Sequence, residues 1–262
     1  MISRILALSA VFSASLTIVA AGLTESVAQT RDVPEAATVI RAAFERYNTT
    51  WYRSLTFVQQ TIQYGPERAS DTALWYEAYE APGRLRIDVA PLADRTMYLF
   101  AKDSQYVFQH DTLASARRLI HPLLLLGFDM YFLPPDETLG KLKELGFDVN
   151  IVRTDFWLER PVVVVGADKG DTTSAQCWID AERLVLVRLL MPSRGRHQEV
   201  LFNQYEQLAG GWIAPEVVVR LDGRIVLKEL YSNISAGTAF DPSFFDPGAW
   251  RTARHWRPEP SR

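Results

Sequence analysis

The first periodic signal along the chain is helical. Val39, Ile40, Ala43, Phe44 and Tyr47 recur at three- and four-residue spacing, which lays them on one face of an α-helix. Asp32-Val33-Pro34-Glu35 precedes them as a start signal: Asp32 can cap, Pro34 tolerates a first turn, and Glu35 completes a capping box. The pattern predicts one amphipathic helix over 34–48, of about three to four turns. Such a helix either rolls over a cavity as a lid or packs on a sheet as ordinary core.

From Tyr52 the period changes to two. Tyr52–Tyr64 is rich in Thr, Val, Phe and Tyr, and Gly65-Pro66 breaks it. Ala73–Glu80 is a second strand, and Pro82-Gly83 turns the chain. Arg84–Val89 then alternates, with Leu85, Ile87 and Val89 on one face and Arg84, Arg86 and Asp88 on the other. This is the signature of an antiparallel sheet with one wet side. Arg95–Ala101 and Gln105–Gln109 form a hairpin around Lys102–Ser104. Later strands are expected at Val149–Leu158, Pro161–Val165, Ala175–Ile179, Leu184–Leu190, Glu199–Leu208, Trp212–Leu221 and Arg224–Ser232. Asp180–Arg183, Ala209-Gly210-Gly211 and Asp222-Gly223 supply the turns.

One stretch fits neither period. Leu119–Leu133 is strongly apolar, but Pro122 and Gly127 forbid a clean helix or strand, and it is too short to span a bilayer. Pro134-Pro135 ends it. Asp136–Gly146 follows as a short helix with Leu139, Leu142 and Leu145 on one side. The whole is a mainly β, α+β pattern without βαβ alternation, repeats or an internal linker, and it reads as one domain.

The termini read differently. Met1–Arg4 is positive, Ile5–Leu23 is apolar, and Ser26-Val27-Ala28 resembles a signal-peptidase site, which predicts cleavage after residue 28 and export. An uncleaved anchor is the alternative. No cysteine follows the apolar run, so no lipidation is expected and a periplasmic location is. The domain then covers 29–250. The tail, 251–262, carries four arginines and two prolines and is expected to be a solvated, loosely held terminus, or else a membrane- or partner-binding one.

Charge and chemistry narrow the function. Twenty-eight basic against 31 acidic residues give a net charge of −3, which excludes the basic surface of a nucleic-acid binder. Cys177 is the one cysteine, so neither a disulfide nor a multi-cysteine zinc site can form within the chain. It reads as a small core residue. His121 reads as a satisfied polar residue at a turn, with a pH-responsive hinge as the alternative. Asp136/Glu137 and Asp241/Asp246 read as solvated acids, and Gly166–Gly170 as a hairpin turn. No nucleophile elbow, Walker loop or dinucleotide fingerprint is present. A non-catalytic protein without metal or cofactor is expected.

What stands out is an apolar surplus. A curved sheet has one core face, expected here to carry Leu85, Ile87, Val89, Met97 and Leu99. The helix (Val39, Ile40, Phe44) and the insertion (Leu123, Leu124, Leu125, Leu126, Phe128, Met130) could both cover it as a lid. An apolar groove of this kind suits acyl chains, whose burial is worth about 0.8 kcal/mol per CH₂. Equally, these side chains could pack on one another as an ordinary core.

The order of motifs resembles the LolA/LolB superfamily of bacterial envelope proteins, which includes RseB-like sensors. The resemblance runs through Leu55-Thr56-Phe57-Val58-Gln59-Gln60, Trp75–Val89 around Pro82, the Lys102–Phe108 hairpin and Trp178-Ile179-Asp180. It continues through Tyr205, Trp212-Ile213-Ala214-Pro215 and Phe244-Phe245-Asp246-Pro247. It implies an open, incomplete antiparallel barrel of roughly 10–11 strands with helices over its mouth. It also implies carriage of lipidated proteins, phospholipids or other acylated ligands in the periplasm, by a monomer. The sensor relatives imply an alternative, a regulatory module binding an envelope partner protein through the same groove. One departure is visible. Carrier members place an arginine before the proline to latch the lid, whereas this chain has Ala81, which cannot make those hydrogen bonds. The departure argues against lipoprotein sorting in the strict sense.

Overall fold

The fold was read from a computed structural model that describes residues 35–65, 69–193 and 195–257. The expected signal peptide (1–28), the helix-start residues Asp32 and Pro34, and the end of the tail (258–262) lie outside the described residues. The chain opens with helix α1 (Ala36–Tyr47). Five strands and an edge strand follow: β1 (Ser54–Tyr64), β2 (Ala69–Glu80), β3 (Arg84–Val89), β4 (Thr96–Ala101), β5 (Ser104–Gln109) and β6 (Thr112–Arg118). The apolar insertion folds as α2 (Pro122–Gly127), a 3-10 turn (Asp129–Tyr131) and α3 (Pro135–Glu144). The second run is β7 (Asp148–Trp157), β8 (Arg160–Gly166), β9 (Gln176–Asp180), β10 (Leu186–Ser193), β11 (Arg196–Asn203), β12 (Glu206–Leu208), β13 (Gly211–Ile213), β14 (Glu216–Leu221) and β15 (Arg224–Ala236).

Thirteen of these strands make one antiparallel sheet in the order β6-β5-β4-β3-β2-β1-β15-β14-β11-β10-β9-β8-β7; β12 and β13 form a separate hairpin. The sheet does not close, so β6 and β7 are its edges, and the insertion is the chain that links them. This is the open α+β half-barrel expected, with more strands than expected. The extra edge strand, β6, was invisible because all seven of its residues are exposed, which leaves no apolar alternation to read. Two segments read as single strands are each divided. Glu199–Leu208 breaks at Gln204, whose φ of 59° takes it out of the extended region, and Trp212–Leu221 breaks between Ile213 and Glu216.

Pro122 and Gly127 act as punctuation of the insertion. Pro122 opens α2, where a missing N–H costs nothing, and His121 Nδ1 caps it by accepting from the Leu124 N–H at 3.2 Å. In α3 acids (Asp136, Glu137) fill the first turn and Lys141 and Lys143 the last, matching the helix dipole. The β12–β13 turn has a steric requirement of its own. Gly210 (φ 81°) and Gly211 sit against Thr50 and the Trp51 ring, and a Cβ at Gly211 would meet Trp51 Cδ2 at 2.4 Å. Among the described residues no helix is long and apolar enough to cross a membrane.

The sheet buries both faces, differently. The concave face packs on α1, α2 and α3 through Val39, Ile40, Leu55, Tyr79, Leu126, Met130 and Leu142. The convex face of β2–β5 packs Ala78, Met97, Leu99 and Phe108 against Phe244, Phe245 and Trp250. The C-terminal segment is therefore docked as far as 257, not loosely held. Beneath it, Arg86 and Asp88, expected on a wet face, are buried as a bidentate pair at 2.8 and 3.0 Å. The Arg86 guanidinium lies 4.2 Å from the Phe244 ring centroid, and His255 Nε2 contacts Asp88 at 3.2 Å. Burial alone would raise the Asp88 carboxyl, but the hydrogen bonds from His255 and Arg86 hold it below its ordinary value.

Candidate functional site

Cross-strand partners share a face, so register decides which of the expected groove residues meet. Leu85 pairs with Phe100, Ile87 with Tyr98 and Val89 with Thr96. Leu85 and Ile87 pack with Phe100 in the concave core, with Tyr98 at its margin. Met97 and Leu99 pair with Asp88 and Arg86 and point to the convex side, under Phe244 and Trp250. The groove wall on β4 is therefore Tyr98 and Phe100; the expected Met97 and Leu99 lie on the opposite face. The reason is local. Met97-Tyr98-Leu99-Phe100 is apolar at every position, so its alternation carries no face.

The expected lid residues divide into two groups. On α1, Val39 is 5 % and Ile40 0 % exposed, while Phe44 is half-buried. The helix end is tied down: Tyr47 Oη donates to the Arg183 carbonyl at 2.7 Å and accepts from Trp212 Nε1 at 3.1 Å. Trp51, just beyond, stacks on Tyr131 with ring centroids 3.8 Å apart. Helix α2 is short and is held by packing. Leu124, Leu125 and Leu126 are buried, Leu123 and Phe128 are half-buried, and Phe128 lies on Tyr79 at 4.7 Å. A six-residue helix has no stability of its own and persists only through this packing.

Two cavities flank α2 and share His121. The larger, about 690 Å³ and open to solvent, is lined by the Pro82–Arg84 turn, Phe100–Ser104, the insertion with Leu124, Leu125 and Leu133, and Phe245. The smaller, about 220 Å³, lies on the Leu123 side against Leu189, Met191 and Val200. The larger is within the range of small-ligand sites. Its wall is apolar on the Phe100–Leu125 side. Its rim is charged, with Lys141 bridging Asp103 at 2.5 Å and Glu137 at 3.7 Å.

At the wall between cavity and core sits Asp129. Its Oδ1 accepts from the Gly83 N–H at 2.8 Å and from Tyr79 Oη at 3.1 Å, joining the insertion to the turn that contains Ala81 and Pro82. Burial pushes the Asp129 carboxyl up to about 7, against the pull of those donors and of Lys141. His121 is driven the other way: burial lowers its imidazole to about 4, so the ring is neutral and its Nδ1 is free to accept as a cap. Cys177 is wholly buried and its thiol is raised to about 12, in keeping with a core residue. Among the described residues no three or more His, Cys, Asp or Glu are placed to hold a metal.

Sequence reasoning did not single out Asp129, nor two acids on the concave face, Glu77 and Glu229. Glu77 is in phase with Tyr79 and Trp75 along β2, and that spacing was the available signal. An acid in a strand otherwise reads as solvent-facing.

Comparison with solved structures places the fold. A domain from Vibrio parahaemolyticus described as an outer membrane lipoprotein-sorting protein superposes with a TM-score of 0.55 at 16 % identity, over 82 % of this chain and 97 % of that one. A DUF1329 family protein from Desulfovibrio piger gives 0.54 at 15 % identity, over 82 % and 97 %. A LolA superfamily protein from Nitrosomonas europaea gives 0.51 at 13 % identity, over 82 % and 99 %. The fold is thus that of LolA-like proteins, in line with the resemblance read from the sequence. No protein-family model matches the sequence, and no curated protein does.

Proposed function

We propose that this LolA-like half-barrel is a periplasmic, non-catalytic binder or carrier of an acylated or otherwise lipidic ligand. The observation that carries the reading is the pair of cavities on either side of α2, at the edge of the concave apolar core. Displacing that one short helix would join them and open the face behind it. Helix α1 is the fixed part of the cover, because Tyr47 and Trp51 anchor it; α2 is the movable part. Asp129 takes the role of a latch, fastening the insertion to the turn where Ala81 provides no side-chain donor. Each methylene moved from water into the opened face contributes about 0.8 kcal/mol, so a chain of ten carbons offsets roughly what Leu124, Leu125 and Leu126 lose when the helix moves. The lipoprotein-sorting description of a structural neighbour agrees with this cargo class.

One observation favours the alternative cargo, a segment of an envelope partner protein. The rim of Asp103, Glu137 and Lys141 beside an apolar wall also suits an amphipathic peptide. A titration with N-phenyl-1-naphthylamine, an uncharged dye that fluoresces in apolar sites, tests the lipid reading. The dye should bind and be displaced by n-decanol. Leu133→Trp, which fills the larger cavity, should weaken it at least tenfold while the far-UV CD spectrum is unchanged. Equal binding to parent and variant would remove the cavity from the account.

A further inference from the structure

The concave face continues beyond the helices. Along β2, Tyr79 is 0 % exposed beneath them and Glu77 6 %, while Trp75 is only half-buried. Tyr98, Val89, Glu229 and Tyr231 on the neighbouring strands are likewise half-buried. This part of the face is a partly open vestibule next to the covered core. Two acids lie in it. Phe57 pairs with Glu77, Gln59 with both Trp75 and Tyr231, and Thr61 with Glu229, so all of these side chains share one face.

The acids are unusual in their surroundings. The buried carboxylates among the described residues are Glu77, Asp88, Asp129 and Asp180. Asp88 has Arg86, Asp180 has Arg160, and Asp129 has Tyr79 and Gly83. Glu77 forms no hydrogen bond among the described residues. Glu229 accepts from Tyr231 Oη at 2.8 Å, and the neighbouring Gln59 Nε2 donates to Thr61 Oγ1 at 2.8 Å. Among the described residues neither acid has a cation beside it: burial and the other acid raise Glu77 well above its ordinary value, and burial raises Glu229 to about 7. The nearest basic residues along these strands, Lys228 and Arg86, point to the opposite face and are held by Glu216 and Asp88. Aromatic rings flank the acids: Phe57 and Tyr231 with centroids 4.4 Å apart, and Trp75 and Tyr98 at 6.2 Å.

A buried acid such as Glu77 without a counter-charge is costly to keep ionised, and a cation is the partner that removes the cost. Aromatic faces beside them add the quadrupole attraction that recognises ammonium groups. The geometry points to a ligand-recognition site at Glu77 and Glu229 for an ammonium group carried on an apolar body, that is, an amine-bearing amphiphile whose chain enters the adjoining core. This deepens, and rests on, the reading of the concave face as a lipid-binding surface.

The test uses n-decylamine and n-decanol, equal in chain length and different in head group, each displacing the naphthylamine dye at pH 8, where an alkylamine is still protonated. The parent should bind the amine at least tenfold more tightly than the alcohol. The Glu77→Gln/Glu229→Gln variant should bring that ratio close to one and leave the affinity for decanol unchanged. A ratio near one in the parent, which needs no variant and therefore no assumption about folding, would overturn the inference and leave the lipid-binding reading standing. A high ratio that survives both substitutions would also overturn it, by placing the selectivity elsewhere. Failure of both compounds to displace the dye would defeat the inference together with the reading on which it rests.

Discussion

Asp129 joins packing to pH at the scale of a single side chain. Its carboxyl is raised to about 7 by burial, from the 3.8 of a free aspartate. The neutral form is thus favoured in the folded state. The stability it contributes is complete below about pH 4 and is lost as pH rises through 7. His121 titrates in the same window with the opposite sign: lowered to about 4, it contributes stability above its free value of 6.5 that is lost as pH falls through 4. Comparing Asp129→Asn with the parent cancels the histidine. Urea unfolding from pH 4.5 to 7.5 should show the variant gaining about 2–4 kcal/mol relative to the parent across that range. A constant difference would mean that Asp129 does not titrate there. At pH 5 Asp129→Ala should cost about 1–3 kcal/mol, because the Tyr79 hydroxyl and the Gly83 N–H lose their acceptor.

At the scale of elements, the docked C-terminal segment depends on a buried ion pair. Arg86 is 4 % exposed and sits between Asp88, Phe244 and Trp250. Arg86→Ala leaves the Asp88 charge buried with only His255 beside it and should destabilise by about 3–5 kcal/mol, measured by chemical denaturation. Replacing both partners by apolar residues, Arg86→Met with Asp88→Leu, should cost far less; an equal loss would assign the role to shape and not to charge. This pair also marks where the sequence stops being informative. The alternation of Leu85, Ile87 and Val89 showed which face of β3 is the core, but the polar positions between them were legible only as solvent-facing. That a segment more than 150 residues later covers them is tertiary information. Likewise, β4 is apolar throughout, so only its register with β3 separates Tyr98 and Phe100 from Met97 and Leu99. The insertion was better marked, since Pro122 and Gly127 bound α2 at both ends. The charged strand β6 had no periodic signal at all.

For the whole molecule, the decisive feature is that a thirteen-strand sheet stays open and spans the gap between its edges with an apolar insertion. A closed barrel would fix its interior. In the proposed reading, access to the concave face is controlled by one six-residue helix, its histidine cap and one aspartate. The α+β class was legible from strand periodicity, and the half-barrel was implied by the family resemblance that the order of motifs carries. The cavities and the Glu77–Glu229 vestibule were not, because both depend on how far the helices reach along the sheet. The account's central claim is that the concave face takes up a lipidic ligand. Native mass spectrometry tests it most directly, on protein purified without detergent from the envelope of a bacterial host. The account predicts an added mass that extracts into organic solvent as an amine-bearing acyl species and that is depleted in Leu133→Trp. An unliganded mass in every preparation would contradict it.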